Sequence, residues 1–213
     1  MESTLRDQAP SDLRVFETML WTPTMGIPRL DLHLARLERG CNALGIKAGN
    51  IKSILDVIKA RQAQRLRLSV GFENDVKIET WDVKSLPKET VWRIAIADER
   101  VRSDDPWLQI KTTKRELYNQ LRAELPEGID EVIVLNERGE VCEGTITNVF
   151  VEKGEGLLTP PVTSGLLPGI LREELLREGQ AREEIVLVED LANADTLFVG
   201  NSLRGLIKAE LVV

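Results

Sequence analysis

Between Asp130 and Pro160 the chain reads DEVIVLNERGEVCEGTITNVFVEKGEGLLTP, a series of strand-length apolar runs separated by ERGE and other Gly-containing turns. Short runs rich in Val and Ile with breaks of this kind predict a meander of short strands. The segment constrains the fold more than any other, because whatever surrounds it must complete a sheet.

Upstream, LRVFETML and the short IPRL flank WTPTMG, whose Pro and Gly mark a turn, so a β-hairpin is expected there. In DLHLARLERGCNALGI the apolar residues Leu34, Leu37, Cys41 and Leu44 recur at helical steps, with Asp31 as the expected cap and Gly45 as the expected stop. His33 and Arg36 share another face of that helix. A second helix is expected over NIKSILDVIKARQAQ, capped by Asn50, followed by the strands RLRLSVGF, VKIETWDV and VWRIAIA. Helices on an antiparallel sheet thus make an N-terminal lobe over 1–103. The stretch DERVRSDDPWLQ interrupts regular patterning, so 104–109 reads as a linker and 110–213 as a C-terminal lobe. Downstream, ELYNQLRAEL is helical, PGILREELLREG is a short helix opened by Pro-Gly and closed by Gly179, and EEIVLVE and ADTLFVGNS are strand candidates.

Composition removes several classes of function. The 213 residues carry 28 basic and 35 acidic side chains, a formal charge of −7, and no long basic block, so nucleic acid is not an expected partner. No apolar run reaches the roughly 18 residues of a bilayer span and MESTLRDQAPSDL has no signal-peptide core, so a soluble cytoplasmic protein is expected. Cys41 and Cys142, with a single His, form neither a disulfide framework nor a zinc cluster and read as packing residues. No G-x-G-x-x-G follows the first strand, against a Rossmann nucleotide binder.

Five segments in fixed order, FETMLW with RLDLHLARL, KTTKRELY, LNERGEVCEGTITNVFV, LLTPPVTSGLLPGILREEL and ADTLFVGNSLRG, resemble the class IV aminotransferase family, fold type IV of the pyridoxal-phosphate enzymes. The family includes branched-chain and D-amino acid aminotransferases and aminodeoxychorismate lyase. The likeness spans nearly the whole chain. It implies an α+β fold of two lobes, a small N-terminal α/β lobe and a larger mixed, β-barrel-like C-terminal lobe, and a homodimer using pyridoxal 5'-phosphate (PLP).

By the same resemblance Lys111 is the Schiff-base lysine, whose neutral amine attacks the cofactor aldehyde and, once released, moves a proton at the substrate α-carbon through a carbanionic (quinonoid) stage. Lys114 reads instead as a solvated surface charge. Glu143 matches the glutamate that keeps the cofactor's pyridine nitrogen protonated as an electron sink. Asn148 stands at a family asparagine whose role spacing does not reveal. Arg36, in the H-x-x-R-L pattern, suits the cofactor phosphate as a planar fork donor, and His33 either supports it or bonds to backbone. The amides of Ile170 and Leu171, at a helix start after Pro168-Gly169, and Ser202 with the Leu203 amide complete the implied phosphate cup.

The chain departs from the family in two places. Leu171 replaces the usual Thr, and APSDLRVFETM begins close to the Phe-Glu-Thr portion, without the usual Gly-Asp-Gly turn and active-site Tyr. Tyr118 is the only tyrosine. Arg204 and Lys114 are candidates for the substrate carboxylate. Three functions follow from the resemblance: an aminotransferase acting on an amino acid; an aminodeoxychorismate lyase giving pyruvate and 4-aminobenzoate by β-elimination; and a non-catalytic binding protein of the same shape.

Overall fold

The computed structural model describes residues 4–212 except 57, 59, 84 and 155. The chain forms two compact units, one of Met1–Ser85 with Ile110–Lys114, the other of Leu86–Gln109 with Arg115–Val213. The boundary expected at 103/104 falls inside the second unit, because β4 (Val91–Val101) pairs there with β5 (Glu131–Asn136) and β11 (Gly205–Leu211). Lys111 belongs to the first unit.

In the first unit β1 (Arg14–Trp21), β2 (Gln64–Gly71) and β3 (Val76–Asp82) form an antiparallel sheet in that order. The register Val15↔Val70↔Val76 and Glu17↔Leu68↔Ile78 gathers one face for burial against helix α1 (Leu30–Ala43). The opposite face carries Phe16, Thr18, Arg65, Arg67 and Trp81, the alternation a strand imposes. The IPRL segment is not a strand: β1 pairs with β2, and only the Thr22–Gly26 bridge closes the turn before it. Helix α1 is not capped by Asp31 but begins behind Arg29 in the left-handed region, φ 60°, with Asp31 in its first turn. It ends at Gly45 as expected, φ 64°, a conformation glycine adopts without steric cost. Asn50 caps α2 by accepting from the Ser53 amide, but α2 covers only Ile51–Leu55; Val57 and Lys59 of the expected longer helix lie outside the described residues.

The second unit holds eight strands ordered β10 (Thr196–Asn201), β11, β4, β5, β6 (Val141–Gly144), β7 (Asn148–Glu152), β8 (Leu157–Thr159) and β9 (Ala181–Glu183), and β7 also pairs with β10. That pairing closes six strands into a barrel, removing the open edge. Ile133, Leu135, Val141, Val149, Val199 and Ile207 share the interior cluster. On the outside, α3 (Glu116–Ala123) covers Val132, Val134 and Cys142, and α4 (Ile170–Arg177) covers Phe150. With both faces covered, β5 is buried at all six positions, and its centre reads as the unbroken apolar run VIVL between Glu131 and Asn136. The expected strand EEIVLVE stops at Glu183. Helix α5 (Val188–Ala192) follows, started by Asp190, whose side chain accepts from the Leu187 amide at 2.9 Å. Among the described residues no helix is long and apolar enough to cross a membrane.

Candidate active site

In the first unit, Ile110–Lys114 lies along β1 as an extended segment. The Phe16 amide donates to the Lys111 carbonyl at 2.9 Å, the Thr113 amide donates to the Arg14 carbonyl at 2.9 Å, and Val15 bridges Thr112. Lys111 therefore stands on extended backbone with α3 starting only at Glu116. Gly40 in α1 allows this packing, since a Cβ there would come within 2.9 Å of Val15 and 3.2 Å of Ile110. The Lys111 Nζ lies 4.8 Å from the centroid of the Phe16 ring, and the Arg67 Cζ lies 4.0 Å from the same centroid. The Lys111 amine and the Arg67 guanidinium thus both approach one buried aromatic ring.

Arg36 is committed differently. Its Nε and Nη2 each donate to Glu17 at 2.7 Å, and His33 Nδ1 lies 2.7 Å from the same carboxylate. Glu17 is 1% exposed and His33 is fully buried. Burial alone would raise the Glu17 pKa, but the Arg36 charge and the hydrogen bonds from Arg36 and His33 outweigh it and bring it down to about 2. The bidentate edge of Arg36 is therefore taken by Glu17. Glu17 and Phe16 point to opposite faces of β1, so Arg36 and Lys111 are anchored on opposite faces of one strand. Sequence reasoning did not single out Glu17 or Arg67.

In the second unit, a bulge decides where Glu143 points. The β5–β6 register runs Val134↔Glu143 and then Leu135↔Val141, so Cys142 is an extra residue. Strict alternation would send Glu143 inward with Val141; the bulge turns it to the outer face, beneath α3. There Tyr118 donates its hydroxyl to Glu143 Oε1 at 3.0 Å. Burial and the Glu143 charge raise the Tyr118 pKa, so the phenol stays protonated and serves as a donor.

Asn148 opposes Glu143 on one side and Gly200 on the other, and its Nδ2 donates to the Leu167 carbonyl at 3.0 Å. A Cβ on Gly169 would lie 1.8 Å from Asn148 Oδ1. Asn148 therefore fixes the start of α4 against β7, the role its spacing had left open. Gly169 is the N-cap of α4 and no side chain caps the helix. The Ile170 and Leu171 amides are among those a helix leaves without an internal acceptor. Gly200 packs on Leu171, where a Cβ would meet Leu171 Cδ2 at 2.9 Å, so the β10–β11 turn carrying Ser202 and Leu203 lies beside this helix start. The Leu203 amide donates to Asn201 Oδ1 at 3.1 Å, within an Asx turn. Leu171 is 4% exposed and packs with Phe150 and Leu175, which accounts for an apolar residue at that position.

Each unit by itself carries groups of the kind that PLP requires. The second unit offers an anion-seeking helix start and a carboxylate already held by a phenol; the first offers an amine beside a guanidinium. The sequence matches the family described as Amino-transferase class IV over residues 14–212. It is 40% identical over 194 residues to a "Putative branched-chain-amino-acid aminotransferase" of Methanocaldococcus jannaschii, covering 78% of this chain and 67% of that one. It is 25% identical over 213 residues to the aminodeoxychorismate lyase of Bacillus subtilis, covering 84% and 70%. A crystal structure of a "Putative amino-acid aminotransferase" from Mesorhizobium loti superposes with a TM-score of 0.89 at 43% identity, covering 94% of this chain and all of that one. The two-unit α+β fold with its barrel and the match along nearly its whole length identify the chain as a member of the class IV aminotransferase family, enzymes that act as PLP-dependent aminotransferases or lyases.

Proposed function

We propose that the protein is a cytoplasmic PLP-dependent aminotransferase of free amino acids. The observation that carries the reading is the pair of basic groups at Phe16: Lys111 offers an amine and Arg67 a fork donor suited to a carboxylate, on one face of one sheet. An α-amino acid presents both a carboxylate and an acidic α-hydrogen, and this pair answers both. Arg67 takes the carboxylate, and the Lys111 amine removes the proton from the α-carbon and returns it during the exchange of amine for ketone. When bound, PLP supplies the electron sink that makes the α-hydrogen acidic. Glu143 holds a proton at the pyridine nitrogen, and Tyr118 fixes the Glu143 carboxylate from behind. The Ile170 and Leu171 amides bind the phosphate, with the Ser202 hydroxyl as a further contributor; the Leu203 amide is engaged by Asn201 and the Arg36 fork by Glu17. By family likeness the active form is a homodimer, and a light-scattering mass of one chain at micromolar concentration would count against it.

The lyase reading has its own support, since two relatives that align with most of this chain at 25% identity are named "Putative aminodeoxychorismate lyase" and "Aminodeoxychorismate lyase". The same residues serve β-elimination, with an aryl amine leaving from the neighbouring carbon. The test is the near-violet absorption band of the protein mixed with PLP, compared among wild type, Lys111→Ala and Lys114→Ala. It is expected in the first and third and absent in the second; its absence from wild type ends the catalytic reading. Release of keto acid from amino acids against release of 4-aminobenzoate from aminodeoxychorismate then separates transferase from lyase.

A further inference from the structure

β6 ends at Gly144 and β7 begins at Asn148, so Thr145, Ile146 and Thr147 alone join the strand bearing Glu143 to the strand bearing Asn148. The β5–β6 ladder stops at the Ile133–Gly144 pair, beyond which the turn has no strand partner on β5. There β5 supplies a side chain instead. Glu131 is fully buried, at 0% exposure. Its Oε1 accepts from the Thr145 hydroxyl at 2.5 Å and the Val132 amide at 3.2 Å. Its Oε2 accepts from the Ile146 amide and the Thr147 hydroxyl, each at 3.1 Å. Arg122 Nη1 stands 3.5 Å from Oε1.

A buried carboxylate is costly unless its lone pairs are answered, and here four donors answer them. Three of the four come from one three-residue turn, so satisfying the carboxylate also fixes the turn. Gly144 permits the approach: a Cβ there would lie 2.9 Å from Glu131 Cδ and Cγ and 2.5 Å from Thr147 Oγ1. Arg115 grips the same turn, donating to the Thr145 carbonyl at 2.6 Å.

We propose that Glu131 is a positioning residue for the reaction, holding through Thr145, Ile146 and Thr147 the turn whose two ends set the Glu143 carboxylate and the Asn148 amide. The proposal rests on the PLP reading above. Its consequence is that loss of the Glu131 carboxylate displaces Glu143 from the pyridine nitrogen without touching the cofactor itself.

Glu131→Gln keeps the shape but turns two acceptor sites into donors that face other donors. With the fold retained by circular dichroism, PLP is expected to bind roughly tenfold more weakly. The pH midpoint of the visible band is expected to rise by about one unit, because a ring nitrogen less firmly held protonated draws less charge from the lysine-bearing end. Leu191→Ala, a truncation on α5 within the apolar cluster that it shares with Val149 and Val199, serves as the control: it lowers stability and leaves the midpoint where it was. Should the Gln variant not fold, Thr147→Val removes one donor at constant size and is expected to move the midpoint the same way by less. A wild-type midpoint and affinity in the folded Gln variant, or in Thr147→Val where Gln does not fold, overturns the proposal, and so does an equal shift in Leu191→Ala. Absence of the band from wild type removes the PLP reading itself, whereas a wild-type band with unmoved variants removes only the role of Glu131.

Discussion

At the scale of single residues, two side chains beyond the family pattern carry specific expectations. Tyr118 touches Glu143 through one hydrogen bond, so Tyr118→Phe keeps the ring and deletes the donor to a carboxylate oxygen. A hydrogen bond to a charged group of this kind is worth about 1.5 kcal/mol or more to stability, and the variant is expected to lose about that much while kcat falls roughly tenfold. An unaltered kcat in steady-state assays would reduce Tyr118 to packing under α3. Arg67 is expected to act on substrate binding: Arg67→Met leaves Phe16 covered but removes the fork, raising KM for the amino acid roughly tenfold or more with a smaller effect on kcat. Equal losses in kcat with no change in KM would place Arg67 elsewhere in the mechanism. Neither residue was legible beforehand as a site residue. Arg67 reads as one of several basic residues on an amphipathic strand, and Tyr118 joins Glu143 only after the chain has folded across 25 positions.

At the scale of elements, α4 and the strand beneath it are one device, and it divides what sequence reveals from what it hides. Pro168-Gly169 before ILREELLR announces a helix start, and α4 lies there. The strands of the meander are also where their Val and Ile runs place them. The bulge at Cys142 left no such trace, because it depends on the partner strand and inverts the face that alternation assigns to Glu143. Strand β11 was not anticipated, although Asn201 caps the turn before it and Gly205 has φ 74°, and the strand candidate over 183–189 gave way to α5 once Asp190 capped it. The tie between Asn148 and Gly169 was invisible for the same reason as the bulge, and it gives a test. Gly169→Ala places a Cβ 1.8 Å from Asn148 Oδ1 and is expected to cost on the order of 2–3 kcal/mol. Asn148→Ala removes that oxygen and the hydrogen bond to Leu167, costing roughly 1 kcal/mol alone. The double variant should be more stable than Gly169→Ala by denaturant unfolding, a coupling of sign opposite to additive damage. Simple additivity would mean that α4 starts without resting on Asn148.

At the scale of the whole molecule, acid stability links groups in both units. Glu17 in the first unit and Glu140 in the second each have a pKa brought from the ordinary 4.5 down to about 2. For Glu17 burial works against the charge, and Arg36 and His33 prevail. For Glu140 the hydrogen bond from Arg138 leads, with Asn136 and Ser164 assisting. Both carboxylates have folded pKa values below their unfolded ones, so each contributes stability that is complete above about pH 4.5 and disappears as the pH falls toward 2. For the buried Glu17 the contribution is on the order of 3 kcal/mol, large against the 5–15 kcal/mol of a typical domain. Replacing it by Gln also removes the carboxylate charge that balances the buried Arg36 cation, so Glu17→Gln should destabilise the first unit at pH 7 and flatten its loss of stability between pH 4.5 and 2. Glu140→Gln should do the same for the second unit alone, because its partners Arg138, Asn136 and Ser164 all lie there. Denaturant unfolding from pH 7 to pH 3, followed through Trp21 for the first unit and Trp92 for the second by single tryptophan-retaining variants, separates the two. If Glu17→Gln left the acid dependence of the first unit as steep as in wild type, the Glu17–Arg36–His33 cluster would not be what holds that unit against acid.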